Sequence, residues 1–197
     1  MAERDWHVLL VAGPSGTGKS TACATLMREY GIGTAELDDL NAAVVAMTTP
    51  DQQPALHYWS THATERTWTA EEIVDVTLAT VTALAPAVAA VVNAHLDHGP
   101  PVIMEGDYLL PSSAAALSGP QVRAVFVYEP DEDQLIANFL DREPDEGPQA
   151  MRAEVSRRYG EWLRTEAAAH GLPAIPARPF RTLPDRIREA ADRSPSS

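Results

Sequence analysis

The stretch whose reading decides the fold is VLLVAGPSGTGKSTACATL, Val8–Leu26. Apolar residues run directly into Gly-x-x-x-x-Gly-Lys-Ser at Gly13–Ser20, a phosphate-binding loop pattern. Glycines let the backbone curl until several N–H groups face one anion. In this pattern Lys19 reaches the β- and γ-phosphates and the Ser20 hydroxyl ligates Mg²⁺. The helix that follows turns its positive end to the same phosphates. Candidate nucleotide-binding residues are therefore Gly13, Ser15, Gly16, Thr17, Gly18, Lys19, Ser20 and Thr21. The pattern announces a nucleotide and leaves open a switch, a motor or a small-molecule kinase.

Working outward, His7–Ala12 reads as a buried strand and Gly18–Tyr30 as a helix ended by Gly31. Thr34–Leu37 reads as a second strand closed by Asp38 and Asp39, followed by a helix over Leu40–Met47. Thr69-Ala-Glu-Glu72 is a capping box opening a long helix to His98, with Pro86 as a kink. Further strands are expected at Val102–Met104, Val122–Tyr128 and Ala174-Ile175, with helices over 131–142, 151–170 and 183–192. Strands alternating with helices predict an α/β, three-layer fold: five parallel strands covered on both faces. Ligands in such sheets sit at the carboxyl ends of the strands. We expect one domain over residues 1–197, with a helical acceptor-binding insertion over 40–100 and a lid over 142–158.

Charge and composition exclude several classes. The 197 residues carry 15 basic and 28 acidic side chains, a net charge of −13, which disfavours nucleic acid as a partner. No apolar run is expected to approach the roughly 20 residues that span a bilayer. The N-terminus lacks a signal-peptide pattern, so a cytoplasmic monomer or homodimer without membrane contact is expected. Lys19 is the only lysine, which removes the Asn-Lys-x-Asp guanine signature of GTPase switches. Leu117-Ser-Gly-Pro-Gln121 resembles a transporter-ATPase signature, but Pro120 has no N–H for a phosphate, so a turn is expected there. The single cysteine, Cys23, allows no intrachain disulfide and reads as a core residue.

A kinase needs a carboxylate near the acceptor hydroxyl, a positive charge on the transferred phosphoryl, and a nucleobase clamp. Asp38 after the second strand and Glu105 after the third are the candidate bases, and Glu105 is also a candidate Mg²⁺ ligand through water. Asp39 and Asp107 are secondary contacts, with Asp39 the candidate helix cap. Arg142, Arg152, Arg157 and Arg158 flank EPDEGPQAM; Arg142 and Arg157 are favoured for the transferred charge. Arg178 is the candidate stack on adenine. In HYWSTHATERTW, a helix would put Trp59, His62 and Arg66 on one face of the acceptor pocket. Arg66 is the only Lys or Arg between Arg28 and Arg123, which disfavours a strongly anionic acceptor and favours a neutral or cationic one.

Gly13–Thr21, ELDDL at Glu36–Leu40, VIMEGDYLLP at Val102–Pro111 and the arginine-bearing lid together resemble the 2-phosphoglycerate-kinase-like and antibiotic-phosphotransferase-like kinases. The resemblance implies an adenylate-kinase-like core, ATP and Mg²⁺ as cofactors, and Asp38 as base. It implies transfer of the γ-phosphate of ATP to a small-molecule hydroxyl: a nucleoside, sugar, antibiotic-like metabolite or glycerate derivative. The alternative is a nucleotide-binding regulatory or assembly ATPase.

Overall fold

A computed structural model describes residues 4–62 and 67–192. β1 (Val8–Ala12) is buried at all five positions and lies at the centre of a five-stranded sheet. α1 (Lys19–Tyr30) follows and leads to β2 (Gly33–Glu36), an edge strand. The chain returns through α2 (Leu37–Met47), α3 (Tyr58–His62) and α4 (Ala70–Asp97) to β3 (Val102–Gly106). α5 (Pro111–Leu117) then crosses to β4 (Val122–Tyr128). α6 (Glu132–Arg142) and α7 (Ala150–Ala169) lead to β5 (Ala174–Pro176), and α8 (Leu183–Asp192) closes the chain. The order is β2-β3-β1-β4-β5, and every pairing is parallel.

Strand periodicity builds the three layers. Val8, Leu10 and Ala12 join Met104, Ala124 and Phe126 on one face, under α4, α5 and α7. Leu9 and Val11 join Ile103, Val125 and Val127 on the other, under α1 and α8. Alternate side chains of a strand point to opposite faces, so a strand apolar throughout must be covered twice. The connections after β1 and β3 leave in opposite directions along the sheet, which opens a crevice at their carboxyl ends.

Three local readings change. α2 starts at Leu37, so Asp38 and Asp39 lie in its first turn rather than before it. The N-cap is Glu36, which makes no side-chain cap bond, so Asp39 is not the cap. β3 runs through Glu105 to Gly106, two residues beyond the expected end, because Glu105 still pairs with Val11 of β1. α5 was not anticipated; seven residues are too few for a periodic signal, though Pro111 marks the first turn.

The capping box at Thr69 and Glu72 is present, and α4 runs unbroken through Pro86. By length and composition α4 could cross a membrane, with a mean hydropathy of 1.8 over an 18-residue window, so the expectation of no such stretch is corrected. Here Val81, Leu84, Val88 and Val92 of this helix are buried, and it packs on α7, α2, α5 and β1. After α5 ends at Leu117, Pro120 and Gln121 form a turn closed by a bridge between Gly119 and Val122.

Candidate active site

The loop between β1 and α1 is held from both sides. A Cβ on Gly13 would stand 2.1 Å from the Val127 carbonyl oxygen, so only glycine fits against β4. Gly18 precedes α1 in the left-handed region, φ 75°. The buried Thr17 hydroxyl donates to Pro14 O at 2.9 Å, and Asn138 Nδ2 of α6 donates to Gly16 O at 2.8 Å. Thr17 and Gly13 thus shape the loop, while Ser15, Gly16, Gly18, Lys19, Ser20 and Thr21 line an open cleft of about 890 Å³.

The carboxyl ends of β2 and β3 deliver acids to that cleft: Glu36, Asp38, Glu105 and Asp107 all line it. Lys19 forms an ion pair with Asp107 and lies 3.5 Å from Pro14 O. Ser20 Oγ donates to Glu105 Oε2 at 3.0 Å. A Cβ on Gly106 would stand 3.0 Å from Asp38 Oδ2, so the Asp38 carboxylate lies over the β3 end, between Glu105 and Asp107 in sequence. Tyr159 of α7 donates to the Asp107 carbonyl at 2.9 Å and fixes this turn.

Burial raises the pKa of Asp38 above the ordinary aspartate range, and the Asp107 charge adds to it. Burial likewise pushes the Glu105 carboxyl up, against the opposing hydrogen bond from Ser20 and the Lys19 charge. Burial pushes the Cys23 thiol up, which suits the core role and not a nucleophile. The Ser20 hydroxyl and Glu105 carboxylate are adjacent hard oxygen donors. They fit Mg²⁺ of the kind held mainly by phosphate oxygens and water. Among the described residues no group of three Asp, Glu, His or Cys could hold a metal by itself.

The arginines separate. Arg142 lines the cleft and pairs with Glu143 at 2.7 Å. Arg152 pairs with the same Glu143 at 2.7 Å, donates to Ser15 Oγ at 3.3 Å and stacks on Phe139 at 4.5 Å. Arg157 instead pairs with Glu132 at 3.1 Å. Arg178 donates to both carboxylate oxygens of Glu129 at 2.9 Å and pairs with Asp131. Beside it Phe180 and Arg181 line the cleft, with Phe180 against Gly18.

The acceptor-side aromatics form their own cluster. Tyr58 stacks on His62 at 4.4 Å, and Trp59 meets Trp68 edge-on at 5.2 Å. Trp59 and His62 are not among the cleft's described lining residues, and neither is Asp39. Arg66 lies outside the described residues. Sequence reading passed over Glu36, Asn138, Asp141, Phe180 and Arg181, which all line the cleft. Glu36 carried a usable signal: it ends a strand beside the strand of Glu105, with which it pairs in register.

No protein-family model matches the sequence, and no curated protein matches it. The fold is shared with solved kinases. A sugar kinase from Janibacter sp. HTCC2649 aligns with 20% identity over 96% of both chains, TM-score 0.55. A gluconokinase from Sinorhizobium meliloti 1021 aligns with 16% identity over 98% of this chain and 95% of its own, TM-score 0.52. An uncharacterized protein from Eubacterium ventriosum is similar at 11% identity, TM-score 0.52.

Proposed function

We propose that this chain is a phosphotransferase that moves the γ-phosphate of ATP to a hydroxyl of a small molecule. The observation that carries the reading is one cleft holding both Lys19 and Ser20 of the phosphate loop and the carboxylates Asp38, Glu105 and Asp107. A donor cradle facing a set of acids is what hydroxyl phosphorylation requires, and the shared fold with a sugar kinase and a gluconokinase supports it. The similarity of VIMEGDYLLP to 2-phosphoglycerate-kinase-like sequences supports it further.

In this reading Asp38 takes the acceptor's hydroxyl proton as the oxygen bonds to the γ-phosphorus. The bond from that phosphorus to the β-bridging oxygen breaks, and ADP leaves with the electron pair. A pKa raised by burial makes Asp38 a stronger base than an exposed aspartate. Lys19, Arg142 and Arg152 spread the charge on the transferred group, a task of positioning and electrostatics. Mg²⁺, when bound beside Ser20 and Glu105, would neutralise phosphate charge. Phe180 and Arg181 flank the nucleobase side. Residues 1–197 act as one domain, with 40–100 over the acceptor and 142–158 as lid.

The test is ATP consumption with sugars, sugar acids, nucleosides, antibiotics and glycerate derivatives, reading the phosphorylated product by mass spectrometry. Asp38→Asn should lose about 10²- to 10⁴-fold in kcat while still binding ATP. Full activity in Asp38→Asn moves the base to Glu105. ATP hydrolysis stimulated only by a protein partner overturns the reading.

A further inference from the structure

We propose that the acceptor is a hydroxylated amine, bound as an ammonium ion among Glu36, Asp38 and Asp107 after ATP has drawn Lys19 off Asp107. This rests on the phosphotransferase reading and narrows it to a substrate class.

The charge is distributed by chain segment. From Glu29 to Gln121, the segment that builds the acceptor side, the sequence holds 12 acidic residues, one arginine and no lysine. Three of those acids, Glu36, Asp38 and Asp107, reach the cleft together with Glu105. The cations that line it, Lys19, Arg142 and Arg181, come from the segments on the donor side. Glu36 pairs in register with Glu105 on the neighbouring parallel strand, an arrangement of like charges that is unfavourable unless a cation lies close.

The protein supplies that cation from its own chain. The Lys19 ammonium sits on the Asp107 carboxylate, and Lys19 is the cation recorded on Asp107 among the described residues. An alkylammonium therefore fits this position sterically and electrostatically. Lys19 is also the group the nucleotide phosphates require. When it turns to them, Asp107 loses its partner beside Asp38 and Glu36, and a second ammonium is the natural replacement. A carboxylate or phosphate acceptor would instead add a like charge to the same acids, and a neutral polyol would bring Asp107 no charge, while Mg²⁺ beside Ser20 and Glu105 would be taken up by the phosphates. Binding of ATP and of the amine is consequently cooperative: the amine takes the place that Lys19 gives up, and by linkage each raises the other's affinity.

Isothermal titration tests this with glucosamine, ethanolamine and an aminocyclitol against N-acetylglucosamine, glucose and gluconate. Each is titrated with and without a non-hydrolysable ATP analogue, and each is assayed for phosphorylated product. The expected result is binding and phosphorylation within the amine set, with affinity raised about tenfold by the analogue. Asp107→Asn should weaken amine binding in the ternary complex about tenfold. It should also abolish the coupling, leave N-acetylglucosamine unaffected, and not weaken the analogue. Glu36→Gln, at an exposed edge-strand position, should raise the amine KM and leave the analogue affinity unchanged. Preference for gluconate or glucose overturns the inference, as does amine binding indifferent to the analogue. Analogue binding with no amine bound overturns it and leaves the phosphotransferase reading standing. Absence of analogue binding defeats both.

Discussion

At the residue scale, the carboxylate with a raised pKa, Asp38, has a consequence for stability as well as for chemistry. Asp38 ionises less readily in the folded chain than in the unfolded chain, because burial and the Asp107 charge oppose ionisation. Its contribution to stability is fully present below the ordinary value of 3.8 and is lost as pH rises through the folded value. Asp38→Asn should therefore raise Tm at neutral pH, and the gain should vanish below pH 3.8, where the wild-type carboxyl is neutral in both states. Thermal melts across that range check it. The acid limb of kcat/KM should lie above the usual aspartate range, since the base must be ionised. That Asp38 follows a strand was legible in the chain. That it lies in the first turn of a helix and leans over Gly106 was not, because the contact joins residues 68 apart in sequence (106 − 38).

At the element scale, the α6–α7 connection decides which arginine meets the Gly13–Ser20 loop. Four arginines flank it in sequence, and spacing does not rank them. Packing of Phe139 under Gly16 and of Arg152 on Phe139 brings Arg152 to Ser15, whereas Arg157 faces Glu132. Arg152→Ala should weaken ATP about tenfold, the scale of a charged hydrogen bond. Arg157→Ala should change it much less; titration of both variants separates them. The entrance to α4 is set locally instead. Thr69 accepts from the Glu72 N–H and Glu72 accepts from the Thr69 N–H, as the four-residue pattern implies. Thr69→Ala should cost about 1 kcal/mol, which lowers Tm by about 2–4 °C in a chain of this size.

At the scale of the whole molecule, the sheet order β2-β3-β1-β4-β5 gathers into one cleft residues from both ends of the chain, from Ser15 to Pro184. Ligand binding there should stabilise the entire fold. ATP at a hundredfold excess over Kd adds about 2.7 kcal/mol. A thermal shift is expected in the wild type and should be absent in Lys19→Ala. The sequence by itself determined the local features: apolar strands that need cover on both faces, the glycine loop with Lys19 and Ser20, the α4 cap, and acids at the strand ends. Each of these is governed by neighbours a few residues away, so short-range periodicity and backbone sterics suffice. Only the tertiary structure decided that Glu36 joins Asp38, Glu105 and Asp107, that Lys19 pairs with Asp107, and that Arg178 turns to Glu129 while Phe180 and Arg181 face the cleft. Those contacts span 88 residues between Lys19 and Asp107 (107 − 19) and 162 between Gly18 and Phe180 (180 − 18), and they form because burial of both sheet faces brings distant loops to one edge. No spacing rule within the chain encodes that distance.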